Sequence, residues 1–101
     1  MLKFFYGKEC PHCHAMMPLV DRLEKENHVT VERLESWHNE NNARALTEFD
    51  PNGERCGGVP YFYNTESGQY LCGEQPYEQL VGWAQGETVE PSAGHRSVGN
   101  E

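Results

Sequence analysis

The start of the chain constrains the fold more than any other part. The run LKFFY, residues 2–6, is apolar at nearly every position and ends at Gly7, a pattern typical of a strand buried on both faces. A helical pattern follows at once, with apolar residues at three- and four-residue spacing: Ala15, Met16, Leu19, Val20 and Leu23. Pro11 suits the first turn of such a helix, because its missing N–H would be unpaired there anyway. The chain is therefore predicted to begin with a β-strand that leads directly into a helix.

The later segments alternate in the same way. Residues 29–35 give an imperfect strand alternation, and residues 38–49 are polar at first and then helical. YFYN and QYLCG predict two strands joined by the turn TESG, and PYEQLVGWAQG predicts a last helix. The predicted fold is α/β, a four-stranded mixed sheet flanked by helices in the order β-α-β-α-β-β-α. We assign it to residues 1–86 and predict a disordered tail at residues 87–101, which have no apolar period.

The charge and length of the chain argue against several classes of function. Its 101 residues carry a net charge of -8 and only 8 scattered Lys and Arg, whereas nucleic-acid binding needs a clustered basic face. No run of about 18 apolar residues could cross a membrane, and the N-terminal apolar run is too short for a secretory signal. We therefore expect a cytoplasmic monomer that binds neither nucleic acid nor membrane. In that setting the four cysteines favour catalytic or metal-binding thiols.

The motif CPHC at residues 10–13 lies where the first strand gives way to the first helix. If the helix begins near Pro11, unpaired backbone N–H groups point toward the Cys10 sulfur and stabilise its thiolate. His12 can add a hydrogen bond or a positive charge to the same sulfur. Cys13 lies almost one turn further on, on the same side and deeper. The motif therefore predicts an exposed attacking thiol at Cys10 and a resolving thiol at Cys13.

A metal site is the main alternative for the same motif. Zinc ribbons need a second CxxC pair about 15–20 residues away. Here Cys56 and Cys72 are far from the first pair and from each other. His12 and His14 are close to the motif, but ligands packed into one short stretch of helix cannot all surround one ion. We favour the redox interpretation with no metal, and keep as alternative a metal-binding or metallochaperone module that uses the same cysteines.

The roles of Cys56 and Cys72 stay open at this point. They can be separate apolar fillers, since free cysteine is among the most buried residue types. They can form a second disulfide or exchange electrons with Cys10 as an auxiliary redox pair. They can also help the CPHC motif to hold a metal. The choice depends on loop geometry, because a disulfide needs Cα atoms within about 7 Å.

Several stretches of the chain occur together in an order that is similar to one protein family. They are FFYGKECPHCHAMMPLVDRLEKE, a second β-α unit, GVPYFY, the hairpin and the closing helix YEQLVGWAQ, within residues 2–86. On these motifs the chain resembles the thioredoxin-like superfamily of thiol–disulfide oxidoreductases, and its short N-terminus makes it similar to glutaredoxin. Pro18 stands where thioredoxins carry the proline that kinks the active-site helix.

The resemblance implies roles for further residues. Val59-Pro60 looks like the cis-proline pair of the family, which faces the two cysteines and lends its backbone to a bound substrate peptide. Pro11-His12 is similar to the dipeptide of the periplasmic disulfide oxidants, which implies similar tuning of the thiolate. Glu74 stands where glutaredoxins hold the carboxylate of glutathione. Its negative charge argues against glutathione as a partner.

Two expectations concern single positions near the motif. By its spacing from the motif, Phe4 occupies the place of the buried acid of thioredoxins, which leaves water or Lys3 to deprotonate Cys13. Trp37 is most simply a core or groove residue, and His38 a solvated residue without a role.

Together these features predict a small thiol–disulfide oxidoreductase that works through the Cys10/Cys13 redox couple. The resemblance implies that its partners are protein disulfides or dithiols, together with a reductase or a small-thiol electron donor. No organic cofactor is expected, because the electrons pass through the sulfurs themselves.

Overall fold

The predicted order of strands and helices is present in the structure, a computed structural model that describes residues 1–90. The strands are β1 (Leu2–Tyr6), β2 (Val31–Glu35), β3 (Tyr61–Asn64) and β4 (Tyr70–Cys72). The helices are α1 (Pro11–Asn27), α2 (Glu40–Phe49) and α3 (Tyr77–Ala84), and a short 3-10 turn at Pro51–Gly53 follows α2. The described part of the chain is therefore an α/β fold, in which the bounds of each element differ from the prediction by two residues at most.

The four strands form one mixed sheet in the order β2-β1-β3-β4. β1 pairs with β2 in parallel and with β3 antiparallel, and β3 and β4 form the predicted antiparallel hairpin. β1 is therefore an inner strand, which explains why its apolar run is nearly continuous. In register, Phe5 lies opposite Tyr61, and Tyr61 lies opposite Cys72. Phe5, Tyr61 and Cys72 therefore lie side by side across the sheet, near the end of β1 that leads into the CPHC motif.

The sheet separates two layers of side chains, because successive residues of a strand point to opposite faces. Phe4 and Phe62 stack at 4.7 Å between ring centroids and are fully buried in the main core cluster, which also contains residues of α1 and α3. Phe5 and Tyr61 point to the other face, where the Phe5 ring lies 6.1 Å from the ring of Phe49 in α2. We call these the α1 face and the α2 face. The α2 face is the thinner layer, since α2 contributes no fully buried residue.

Helix α1 begins and ends where the sequence predicted. Cys10 is its N-cap and Pro11 its first residue, and the helix stops at Asn27, before His28 in a left-handed conformation with φ of 54°. Pro18 lies inside the helix, which continues on both sides of it. One side of α1 is buried against the sheet, and its buried residues are Cys13, Met16, Val20 and Leu23.

The folded part includes the first residues of the predicted tail. The N–H of Val89 donates to the side-chain oxygen of Gln69 at 3.1 Å, and Val89 packs against the main core cluster. Contacts of the domain thus reach into residues 87–90, and the remainder of the predicted tail, residues 91–101, lies outside the described residues. None of the helices in the described chain combines the length and apolarity needed to span a bilayer.

Candidate active site

Cys10 and Cys13 meet where β1 has ended and α1 begins. Cys10 caps the helix, and its sulfur accepts a hydrogen bond from the backbone N–H of Cys13 at 3.2 Å. The N–H of Cys10 donates to the Gly7 carbonyl at 3.0 Å, which closes the tight connection between strand and helix. Both thiols are free, and the side chain of Cys13 is hydrogen-bonded to that of Cys10. The structure thus brings the two cysteines of the motif together as a dithiol.

Cys10 is more deeply buried than the sequence predicted. Only 4% of the residue is exposed, and Cys13 is fully buried. The expectation of an openly exposed Cys10 was wrong, because its sulfur turns toward the Cys13 N–H and both residues pack into the main core cluster. The predicted order of depth is correct, since Cys10 is the outer of the two. Of the two residues, only Cys10 keeps any exposed surface, and that surface is small.

Cys13 holds its proton strongly. Burial, followed by the hydrogen bond to the Cys10 sulfur, raises the pKa of Cys13 to about 12, although the Gly7 backbone acts in the opposite direction. At neutral pH Cys13 is therefore a neutral thiol that can donate a hydrogen bond to a thiolate at Cys10. This difference suits an outer thiol that attacks and an inner thiol that acts second.

His12, the third residue of the motif, pairs with a residue in a loop that is distant in the sequence. Its Nδ1 lies 2.6 Å from Oε2 of Glu74, which follows β4, and both side chains are exposed. The next residue, Gln75, donates its backbone N–H to the sulfur of Met16 in α1 at 3.4 Å. The sequence identified Glu74 only as a charge that opposes glutathione binding, whereas the fold makes it the partner of His12.

Val59 and Pro60 lie at the same end of the sheet as the cysteine pair. The peptide bond between them is cis, as the resemblance implied, and Pro60 immediately precedes β3. Because Phe5 lies opposite Tyr61 in antiparallel register, Pro60 is beside the end of β1 that leads to Cys10. Val59 packs against the main core cluster, to which Cys10 belongs. The predicted substrate-binding residues and the predicted redox pair therefore share one region.

Cys56 and Cys72 form a disulfide, with Cα atoms 5.4 Å apart. This finding selects pairing among the alternatives that the sequence left open. Cys72 lies opposite Tyr61, so its side chain points to the α2 face, whereas Cys13 lies in the core on the α1 face. The side chains of Cys72 and Cys13 therefore lie on opposite faces of the sheet. The predicted auxiliary redox role of Cys56 and Cys72 stays a prediction.

The loop that carries Cys56 is organised around a buried carboxylate. Asp50 accepts hydrogen bonds from the backbone N–H groups of Arg55, Cys56 and Gly57 at 2.7, 3.1 and 2.9 Å. Burial opposes the negative charge, but the three donors outweigh it and hold the pKa of Asp50 below its usual value. Asp50 and the disulfide together fix the loop that precedes Val59. The sequence signal for this arrangement was the turn DPNG, since Asp side chains commonly bind nearby backbone N–H groups.

Lys3 is not placed to deprotonate Cys13. Its Nζ pairs with Oε1 of Glu32 at 2.6 Å and lies 5.8 Å from the ring centroid of Phe49 in α2. Because side chains of β1 alternate, Lys3 belongs to the α2 face, whereas Phe4 is buried on the α1 face. The expectation for Lys3 was therefore wrong, and of the two predicted proton acceptors only water is left.

The loop after β2 carries two residues whose surroundings differ from the prediction. Trp37, predicted to lie in the core or a groove, is 53% exposed and lies over Gly7. His38, predicted to be solvated and without a role, pairs with Glu9 at 2.7 Å, directly before Cys10. A glycine immediately after the first strand was the sequence signal for the position of the indole, because only glycine leaves room for it there.

Two free thiols of unequal depth, held close together at a helix N-terminus, are the groups that dithiol–disulfide exchange requires. Within residues 1–90, no group of three or more His, Cys, Asp or Glu side chains is arranged to hold a metal ion. Comparisons of the chain with protein-family models, with curated proteins and with solved structures found no match.

Proposed function

We propose that this protein is a thiol–disulfide oxidoreductase with a thioredoxin-like fold, which exchanges disulfides with protein substrates through Cys10 and Cys13. One observation carries the proposal: two free thiols are in contact at the start of α1, and the outer sulfur accepts the N–H of the inner residue. A backbone donor at a helix N-terminus stabilises a thiolate, and the thiolate is the reactive form of cysteine.

The first step is an attack by the Cys10 thiolate on one sulfur of a substrate disulfide. The S–S bond of the substrate breaks, a new S–S bond joins Cys10 to the substrate, and the departing thiolate takes a proton from water. Cys13 does not compete in this step, because its pKa of about 12 keeps it protonated at neutral pH. The order of the two cysteines thus follows from their difference in burial.

The second step uses Cys13. Burial, the largest cause of the raised pKa of Cys13, persists in the mixed disulfide. The Cys10 sulfur then carries no charge, so its own contribution disappears, while the Gly7 backbone still acts to lower the pKa. Cys13 then gives its proton to water and attacks the Cys10 sulfur. The Cys10–Cys13 disulfide forms, the substrate leaves as a thiol, and two electrons have passed to the substrate. A reductase or a small thiol restores the dithiol, and the reverse sequence oxidises a substrate dithiol.

The location of Val59 and Pro60 supports an extended protein segment as the substrate. These residues lie beside the end of β1 that leads to Cys10, at the start of β3. A substrate segment that aligns with the backbone there would add as a strand, a common mode of peptide recognition. Because Cys10 is nearly covered, such alignment would also guide the substrate disulfide to its small exposed area.

The test is to trap the mixed disulfide. A Cys13→Ser variant keeps the attacking thiol but cannot resolve the intermediate, so it should accumulate covalent adducts with a disulfide-containing protein such as insulin. Cys10→Ser and the double variant are the matched controls and should form none. The proposal is overturned if Cys13→Ser forms no adduct while Cys10 is shown to be reduced, or if freshly purified protein contains stoichiometric metal bound by the two thiols.

A further inference from the structure

An exposed tryptophan lies directly beside the redox motif. Within residues 1–90, Met1 and Trp37 are the two large apolar residues that are exposed, each at 53%. The indole of Trp37 covers Gly7, where an added Cβ would overlap the ring atoms Cδ2, Cε2 and Cε3. One side of the indole is thus fixed against backbone, and its other side is open to solvent.

The backbone of Gly7 contacts both this indole and the cysteine pair. The Gly7 carbonyl accepts the N–H of Cys10 at 3.0 Å, and the Gly7 backbone is hydrogen-bonded to the thiol of Cys13. A substrate segment bound at Cys10 would therefore pass close to Trp37. The position of Trp37 is adjacent to the chemistry without being part of it.

The surroundings hold the indole in place. The carboxylate of Glu35 accepts the backbone N–H groups of Lys8 and His38, both at 2.9 Å, and that of Trp37 at 3.3 Å. His38 in turn pairs with Glu9 at 2.7 Å. The loop after β2 and the loop before Cys10 are therefore joined at several points, and we call Gly7, Trp37 and the Glu9–His38 pair the Trp37 shelf.

The indole face and the net charge of the chain favour a cation at the shelf. Close to it, the carboxylates of Glu9 and Glu35 are balanced by His38, whose pKa they raise, and by Lys8. The chain as a whole carries a net charge of -8. The face of an indole attracts cations more strongly than that of any other aromatic side chain, and arginine is the side chain most often found there. An arginine on the substrate would meet an aromatic face on a chain of negative net charge.

We propose that the Trp37 shelf is a specificity site that binds a basic side chain, arginine above all, next to the reactive cysteine of an extended substrate. This inference rests on the proposed function and names the substrates that it would prefer. Trp37 acts by binding the substrate segment and takes no part in bond breaking. Its removal should therefore weaken binding of such substrates and leave the reactivity of Cys10 unchanged.

The test uses Cys13→Ser protein and short peptides whose cysteine is disulfide-bonded to 5-thio-2-nitrobenzoate. Attack by Cys10 forms the Cys10–peptide disulfide and releases one yellow thiolate, so absorbance follows a single attack by each protein molecule. Peptides with arginine at one position flanking the cysteine are compared with peptides that carry glutamate there, over three residues on each side. The symmetrical reagent 5,5′-dithiobis(2-nitrobenzoate), which has no peptide, measures the reactivity of Cys10 alone.

Trp37→Ala, added to Cys13→Ser, should raise the half-saturating concentration of the best arginine peptide about tenfold, with the maximal rate unchanged. Trp37→Phe should recover part of this loss, because a phenyl ring is a weaker cation binder. The rate with the peptide-free reagent should be the same in all variants. The inference is overturned if arginine and glutamate peptides bind equally well, or if Trp37→Ala has no effect on binding.

The result separates this inference from the proposed function. If Cys10 reacts with no disulfide at all, the proposed function fails, whereas reaction without preference for arginine removes only the specificity site.

Acrylamide quenching of the full chain adds a second test, since Trp83 is fully buried and Trp37 dominates the accessible fluorescence. The shelf should be accessible in free protein at all concentrations. If Trp37 is already shielded, a second copy or residues 91–101 of the chain occupy the shelf, and the inference is overturned.

Discussion

The two cysteine pairs of this protein are held by different kinds of structure. Cys10 and Cys13 are three residues apart, and a single helix start defines their geometry. Cys56 and Cys72 are separated by 16 residues and meet only because the β3–β4 hairpin and the loop before it fold together. The first pair is a free dithiol on the α1 face, and the second is a disulfide whose strand residue points to the α2 face.

This difference indicates that the role of a cysteine pair depends on how strongly its disulfide would restrict the unfolded chain. A Cys10–Cys13 bond closes a ring within one turn of helix and restricts the unfolded chain little, so it can open and close while the fold persists. The Cys56–Cys72 bond closes a much longer loop and therefore removes more freedom from the unfolded chain. We infer that the first pair is built for exchange and the second for stability.

The largest expected effect is on exchange activity. Cys10→Ser should reduce reaction with a peptide disulfide to the background rate, because the only accessible thiol of the motif is lost. The double variant Cys56→Ser/Cys72→Ser is the matched comparison and should keep most of the activity. A kinetic assay with a chromogenic peptide disulfide measures both. If the double variant were as inactive as Cys10→Ser while still folded, the bridge would be part of the redox path and the comparison would fail.

The second prediction concerns stability, to which the Cys56–Cys72 pair should contribute more than the Cys10–Cys13 pair. The double variant Cys56→Ser/Cys72→Ser should lose about 3 kcal/mol of unfolding free energy, the loss expected for a loop of this length. For a domain of this size that lowers the melting temperature by roughly 12–24 °C. Cys10→Ser should change it far less.

Urea unfolding and thermal scans followed by circular dichroism check this prediction. A reducing agent should lower the stability of the wild type to that of the double variant and leave the double variant unaffected. An unfolding free energy of the double variant equal to that of the wild type would show that the bridge does not constrain the unfolded chain.

The sequence predicted local features of the protein better than features that depend on contacts between distant segments. β1, α1, the β3–β4 hairpin and the place of Pro11 follow from apolar periods and from backbone preferences that act over a few residues. The contact between Cys10 and Cys13 is equally local. The Cys56–Cys72 bond was left open, because it depends on the strand register and on a loop whose course the periodicity does not report.

The errors at the candidate site have the same origin. The depth of Cys10 is set by the core that forms over the helix start, and the exposure of Trp37 by its packing on Gly7 of a neighbouring loop. Glu74 and His12 are far apart in the sequence and meet only in the folded chain. A single sequence gives residue types at each of these positions but not their neighbours across the fold.

The third prediction uses the depth of Cys13. Its pKa is about 12 in the folded protein, whereas a free thiol titrates near 8.5, so between these values the folded state binds more protons than the unfolded state. The free energy of unfolding should therefore fall as the pH rises above about 9, by roughly 2 kcal/mol at pH 10.5. Tyr61, whose pKa burial raises to about 12, contributes to the same slope.

Cys13→Ala isolates the contribution of Cys13, because Tyr61 is present in both proteins. Urea unfolding at pH 8 and pH 10.5, without oxygen or added thiol, should show a smaller loss of stability at high pH in the variant than in the wild type. Equal losses would mean that Cys13 ionises normally in the folded protein, and the proposed order of attack would lose its physical basis.

The last prediction concerns Asp50, whose carboxylate accepts three backbone N–H groups in the loop that carries Cys56. Asp50→Asn keeps the shape of the side chain but removes the charge that accepts three backbone N–H groups, and should lower stability at pH 7 by about 1.5–3 kcal/mol. Because the pKa of Asp50 is lowered in the folded protein, its contribution is fully present above about pH 4 and is lost as the pH falls further. Wild type and variant should therefore converge in urea unfolding at low pH. Exchange activity should change little, since Asp50 acts on the loop that carries Cys56; a large loss with unchanged stability would instead connect this loop to the CPHC pair.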